Sequence, residues 1–195
     1  MVQKDIAWKK SVQKGNLQED GRKLFWIRGI FLAITLSWMI VIFSFSAQPA
    51  DDSGKTSQGV GAFLAEFFVP GYEDWSTQRQ EAFVEKIDHP VRKAGHLTEY
   101  AVVGTLVTGT VLSFGLRGKR AALTAEGIGV LYAASDEFHQ LFVPGRGSQV
   151  TDVLIDASGF AVGVAAAFVI FWMICRYGRK KEQIAGLRET ERTVR

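Results

Sequence analysis

The chain has 195 residues, of which 47% are hydrophobic and 22% charged, with a net charge of +3 and one cysteine. Those averages fit one domain with tails, but their distribution excludes an ordinary soluble enzyme. Gly29 to Ser46 and Ala157 to Cys175 carry no charge, and each is about long enough to cross a ~30 Å hydrocarbon core. The single Cys175 rules out a disulfide scaffold.

A first spanning helix is predicted over about 24–45. A cleaved signal peptide competes with it, because Ser44 and Ser46 resemble a small-residue cleavage site. However, polar and basic residues fill the chain ahead of the apolar run, and the run exceeds an ordinary signal h-region of about 7–15 residues. A retained helix is the expectation. An outer loop follows. In it Val60, Phe63, Leu64, Phe67 and Phe68 fall on one helical face. That helix either lies on the membrane surface or packs as a lid, and Pro70-Gly71 ends it. Ser76 is placed to cap a second short helix through Asp88, which His89-Pro90 should break.

Three more spans are expected over about 94–115, 121–143 and 153–175. The third of the four scores poorly on hydropathy, since it holds Glu126, Asp136, Glu137 and His139. Residues 1–23 form a basic N-terminal segment, 24–175 the transmembrane domain and 176–195 a basic tail that looks solvated and poorly ordered. The predicted fold is therefore all-α: a polytopic bundle of four transmembrane helices with a partly helical outer loop between the first two.

Charge gives the orientation. Lys and Arg gather before the first span, in the link Arg117, Lys119, Arg120, and from Arg176 onward. The other two connections are acidic or nearly neutral. The positive-inside rule then puts both termini in the cytoplasm of a multi-pass cell-membrane protein. Membrane lipids are the expected partners. The basic pI calls for no nucleic acid.

That orientation collects the unusual residues at one outer membrane face. His96, Glu99 and Tyr100 share a face near the start of the second span. Asp136, Glu137, His139 and Gln140 close the third. Arg146 stands in the turn Pro144-Gly145-Arg146-Gly147, and Asp152 and Asp156 open the fourth. Asp152, Asp156, Gly159 and Gly163 form one stripe, as do Gly129, Ala133, Asp136 and Gln140. The acids thus lie on the same faces as small residues that permit close helix approach, so they should point into the bundle. An acid at mid-membrane costs about 2.5–3.5 kcal/mol even on a lenient scale. Such groups must be hydrated, protonated or matched by Arg146, Arg92, Lys93 or the histidines. Each also has a plainer role: Asp152 as a helix cap, Arg146 as a counter-charge, Pro144-Gly145 as a turn.

Several stretches match a known signature. Arg92-Lys93-Ala94-Gly95-His96-Leu97-Thr98-Glu99-Tyr100 resembles the second-helix motif of VanZ-like membrane proteins. Ser135 to Arg146 resembles that family's longest motif, and Asp152, Asp156 and Gly159 match its continuation. Phe43 to Pro49 resembles its first-helix ending. The family takes its name from a protein associated with teicoplanin resistance in Gram-positive bacteria. The resemblance implies a cell-envelope context. Some members carry a butyryl-transferase label, for which this chain shows no coenzyme-binding element.

Two functions from different classes follow. The first is a binding protein whose outward pocket engages a cell-wall precursor lipid headgroup or a lipoglycopeptide antibiotic. Its ligand-binding residues would be His96, Glu99, Tyr100, Glu137, Gln140, Arg146, Asp152 and Asp156. The alternative is a membrane-embedded hydrolase or transferase acting on such a lipid, with His139 as general base and Asp136 fixing its ring. A divalent metal on His96, Glu99, His139 and one or two of the aspartates would be a variant of it, though the sequence has no strong metal-ligand spacing. A third role, polar groups as packing glue, stays open beside both.

Overall fold

The computed structural model describes residues 2–147 and 149–193, and among them every regular element is helical. The elements are α1 (Val2–Ser46), α2 (Ala50–Phe68), a 3-10 turn (Tyr72–Asp74), α3 (Thr77–Ser113), α4 (Gly118–Gln140) and α5 (Val150–Thr193). Two stretches, Gly21–Ser46 and Val150–Lys181, are long and apolar enough to cross a membrane. The helices expected over 94–115 and 121–143 are present as parts of α3 and α4. Their ionisable side chains keep them from meeting the same composition.

Helix α3 forms the axis of the bundle, with α5, α1, α4 and α2 all packed against it. The α3–α5 contact is closest, and glycine explains it. A Cβ on Gly163 would overlap the Ala101 carbonyl, and one on Gly159 the Leu97 carbonyl. From the other side, a Cβ on Gly104 would strike the Phe160 backbone. Such close backbone approach adds dispersion contacts along the whole seam. Thr105 Oγ1 adds a bond to the Gly163 carbonyl at 3.2 Å. The Phe160 ring fills the space over Gly129 of α4. The two stripes read from the sequence are therefore packing faces, and Gly129, Ala133, Asp136 and Gln140 are all buried.

Helix α1 joins through polar contacts. Thr35 and Thr110 share a hydrogen bond of 2.9 Å, and the Tyr132 hydroxyl donates to the Met39 carbonyl at 2.7 Å. Outward, the surface is apolar: Leu123, Leu131 and Phe138 of α4 and Leu154, Val162 and Ile174 of α5 are all exposed. The interior mixes apolar residues, among them Val103, Ala125 and Phe160, with the polar Thr108, Asp136 and Asp156, and an apolar exterior of this extent marks a contact surface.

Three expectations need correction. First, α3 does not break at His89-Pro90 but runs through Pro90. Proline removes one hydrogen bond, yet the Asp88–Arg92 ion pair of 2.7 Å straddles it and α2 packs alongside. Ser76 does occupy the N-cap position, without a side-chain capping bond. Second, the tail is not irregular: α5 continues to Thr193, through a segment rich in Arg, Lys, Glu and Gln, which are good helix formers. Third, the outer helix is longer than its apolar face suggests. It packs on α3 through Ser57, Gly61 and Ala65, while Val60, Phe63, Phe67 and Phe68 remain exposed. The expected Pro144-Gly145 turn forms, with Gly145 in the left-handed region at φ 74°.

Candidate functional site

The middle of α3 meets the end of α1, the start of α2, the end of α4 and the start of α5 in one region. Helix α3 brings His96, Glu99 and Tyr100. Helix α4 ends with Asp136 and Gln140, its following turn supplies Arg146, and α5 begins with Asp152 and Asp156. Two adjoining cavities open there. The first, about 210 Å³, is edged by His89, Lys93, Gln140, Asp152 and Asp156. The second, about 300 Å³, lies between the end of α1, α2 and α3, with Ile42, Phe45, Val60 and Val91 beside Glu99 and Asp136. Arg92, His96 and Arg146 border both. One compartment is thus ringed by charge and the other is mixed, with an apolar wall.

Pairing within the first compartment is nearly complete. His96 Nδ1 lies 3.4 Å from Asp156 Oδ1, and Asp156 is fully buried. Lys93 Nζ stands 3.4 Å from Asp152 Oδ1. Arg92 Nη2 donates to Asp88 at 2.7 Å, and the Ser57 hydroxyl holds the other Asp88 oxygen, which ties α2 to α3. Neither oxygen of Asp156 has a hydrogen bond of good geometry. A buried carboxylate left so is costly unless a ligand or water completes it.

Arg146 differs from the other bases. Its Nε donates to the Gln48 carbonyl at 2.9 Å and its Nη2 to the Phe45 carbonyl at 3.2 Å. Phe45 lies in the last turn of α1 and Gln48 just beyond it, where the helix dipole favours a cation. Among the described residues no carboxylate lies within ion-pairing distance of it. Burial lowers its pKa from the ordinary value, and the neighbouring Arg92 charge adds to this. A guanidinium stays charged all the same.

Tyr100 and Gln140 act as struts. The Tyr100 hydroxyl donates to Asp136 Oδ2 at 3.3 Å, and Gln140 Nε2 donates to Ser46 Oγ at 2.9 Å. Asp136 is fully buried, and its Oδ1 has no hydrogen-bond partner.

Not every expected residue joins the site. The His139–Asp136 pair is not made. At a spacing of three residues the two side chains diverge: Asp136 turns to Tyr100, while His139 stacks on Phe43 with ring centroids 4.4 Å apart. His139 edges neither cavity. The histidine held by an acid is His96. Glu137 is buried and accepts the Gln149 backbone N–H at 3.2 Å, so it anchors the loop before α5. Asp152 occupies the first turn of α5, where the dipole suits it, and it reaches toward Lys93. No group of three or more His, Cys, Asp or Glu among the described residues is placed to hold a metal ion. The metal set considered from the sequence is therefore not assembled. His89 and the α2 residues Ser53 and Thr56, which edge the cavities, escaped the sequence reading. His89, Arg92, Lys93 and His96 follow helical spacing, but the break assumed at Pro90 hid it.

Two helices long and apolar enough to cross a membrane, in a bundle that buries acids and bases side by side, define the class: an all-helical protein of membrane-type composition with a buried polar cluster. The sequence model of the VanZ/LLP1 family matches residues 31–173, and the chain belongs to that family. No curated protein and no solved structure matches the chain.

Proposed function

We propose that α1, α3, α4 and α5 all cross the cell membrane, with both termini cytoplasmic, and that the paired cavities face outward. There they bind the headgroup of a cell-envelope lipid or a lipoglycopeptide antibiotic, contributing to teicoplanin-type resistance. The exposed apolar faces of α4 and α5 support four spans. Arg117, Lys119 and Arg120 stand at the opposite end of the bundle from the cavities, as the positive-inside rule asks.

One observation carries the binding reading: Arg146, a cation with no acidic partner among the described residues, sits where a charged compartment meets an apolar-walled one. A headgroup anion would meet Arg146 and Arg92. The ligand's apolar part would lie along Ile42, Phe45 and Val60. Arg146→Ala should weaken protection against teicoplanin in a susceptible Gram-positive host at matched membrane protein level. Unchanged protection at matched level would reject the role given to Arg146.

A second reading, an enzyme on the same lipid, draws on His96. Asp156 is placed to fix the imidazole so that its other nitrogen serves as general base or acid. Under this reading His96→Gln changes the composition of cell-wall precursor lipids in cells. An unchanged lipid profile in that variant and in cells lacking the protein would count against catalysis.

A further inference from the structure

The charges around the two cavities do not balance evenly. In the first compartment Arg92 is matched by Asp88, Lys93 by Asp152 and His96 by Asp156. The second is bordered by Glu99, Asp136 and Arg146, together with Arg92 and His96. The Glu99 carboxylate makes no hydrogen bond or ion pair among the described residues; only its backbone carbonyl is engaged, by the Trp38 indole at 3.2 Å. Asp136 is fully buried, accepts a hydrogen bond from the neutral Tyr100 hydroxyl, keeps its Oδ1 without a hydrogen bond and borders that cavity. Two acids and the Arg146 guanidinium thus border one small chamber, and among the described residues none of the three makes an ion pair.

A purely anionic ligand would satisfy Arg146 and leave both acids exposed to its charge. A purely cationic one would do the reverse. A ligand carrying both signs a few bonds apart satisfies all three, since buried charge is tolerated when paired.

Resting on the binding reading above, we infer that the second cavity is built for a zwitterionic headgroup, its ammonium held by Glu99 and Asp136 and its anion by Arg146. The class includes aminophospholipids, whose anion is a phosphodiester, and peptides with a free amine and a carboxylate. The ammonium supplies N–H donors to the carboxylates that lack them.

The test uses the full chain purified in detergent and read by native mass spectrometry, in two arms. One offers phosphatidylethanolamine and phosphatidylglycerol at equal concentration. The other offers a lysine-bearing peptide with a free carboxylate and its N-acetylated form. The expected result is retention of the amine-bearing member over its competitor by about tenfold in at least one arm. Glu99→Gln should cut that preference to about threefold or less while leaving the anion-dependent part of binding in place. Glu99 is only partly buried, so this variant should fold; Asp136→Asn, where it folds, should do the same. Preference in the lipid arm names a lipid source, and preference in the peptide arm a peptide source. Equal retention of both members in both arms overturns the zwitterion assignment while leaving the binding reading standing. A preference that survives both substitutions overturns the placement of the amine. Failure of every probe to bind overturns the binding reading as well.

Discussion

The α3–α5 seam has two ends built on opposite terms. Along its lower part Gly159, Gly163 and Gly104 bring the two backbones into contact, with Val103, Val107 and Val164 buried beside them. At its upper end the same helices carry His96, Asp156, Lys93 and Asp152, which edge a cavity. The lower end is where the fold is held. The upper end holds charges at a cost, since buried carboxylates without hydrogen bonds oppose folding. The contrast teaches that the polar end is carried by the glycine seam rather than supporting it. Stability and ligand chemistry should therefore respond to different substitutions.

The strongest way to break that comparison is in the seam itself. Gly163→Val would drive a side chain into the Ala101 carbonyl and the Thr105 backbone N–H. Overpacking typically costs about 1–3 kcal/mol, and backbone cannot step aside as a side chain can, so the loss should reach or exceed that range. Little folded protein should be recovered by size-exclusion chromatography; a monodisperse variant of unchanged melting temperature would refute the seam's role. At the polar end, Asp156→Asn should leave the melting temperature within a few degrees of wild type, or raise it, because the carboxylate makes no hydrogen bond. Ligand binding or protection should still fall by about tenfold as His96 loses its partner. If melting temperature and activity fall together, the polar groups are packing glue.

A finer contrast separates the two histidines. His96→Gln should cost most of the activity, whereas His139→Phe should keep it within about twofold of wild type, since His139 stacks on Phe43 away from both cavities. Equal loss in both variants, scored by antibiotic susceptibility, would return His139 to the site. The smallest effect belongs to Lys93→Ala. Its ion pair with Asp152 is partly exposed on both sides, and such pairs contribute only about 0–1 kcal/mol. Thermal scanning should show a shift of a few degrees at most.

Much of this was legible in the chain. Charge-free runs mark α1 and α5, because a span must be long and apolar whatever its neighbours are. The Gly159–Gly163 spacing and the Gly129–Gln140 stripe announce packing faces, because helical periodicity fixes which residues share a side. The fate of α3 at Pro90 was not legible. Whether a proline ends a helix depends on what else holds the segment, and here the Asp88–Arg92 pair and α2 do.

The sequence by itself determined the helical architecture, the small-residue packing stripes and the segments that gather charge, since each follows from composition and helical periodicity. Only the tertiary structure decided the pairings. It gave Asp156 to His96, turned His139 onto Phe43, set Arg146 on the carbonyls at the end of α1 and laid α2 over the second cavity. Those outcomes depend on rotations and distances between helices far apart in the chain, which local spacing does not encode.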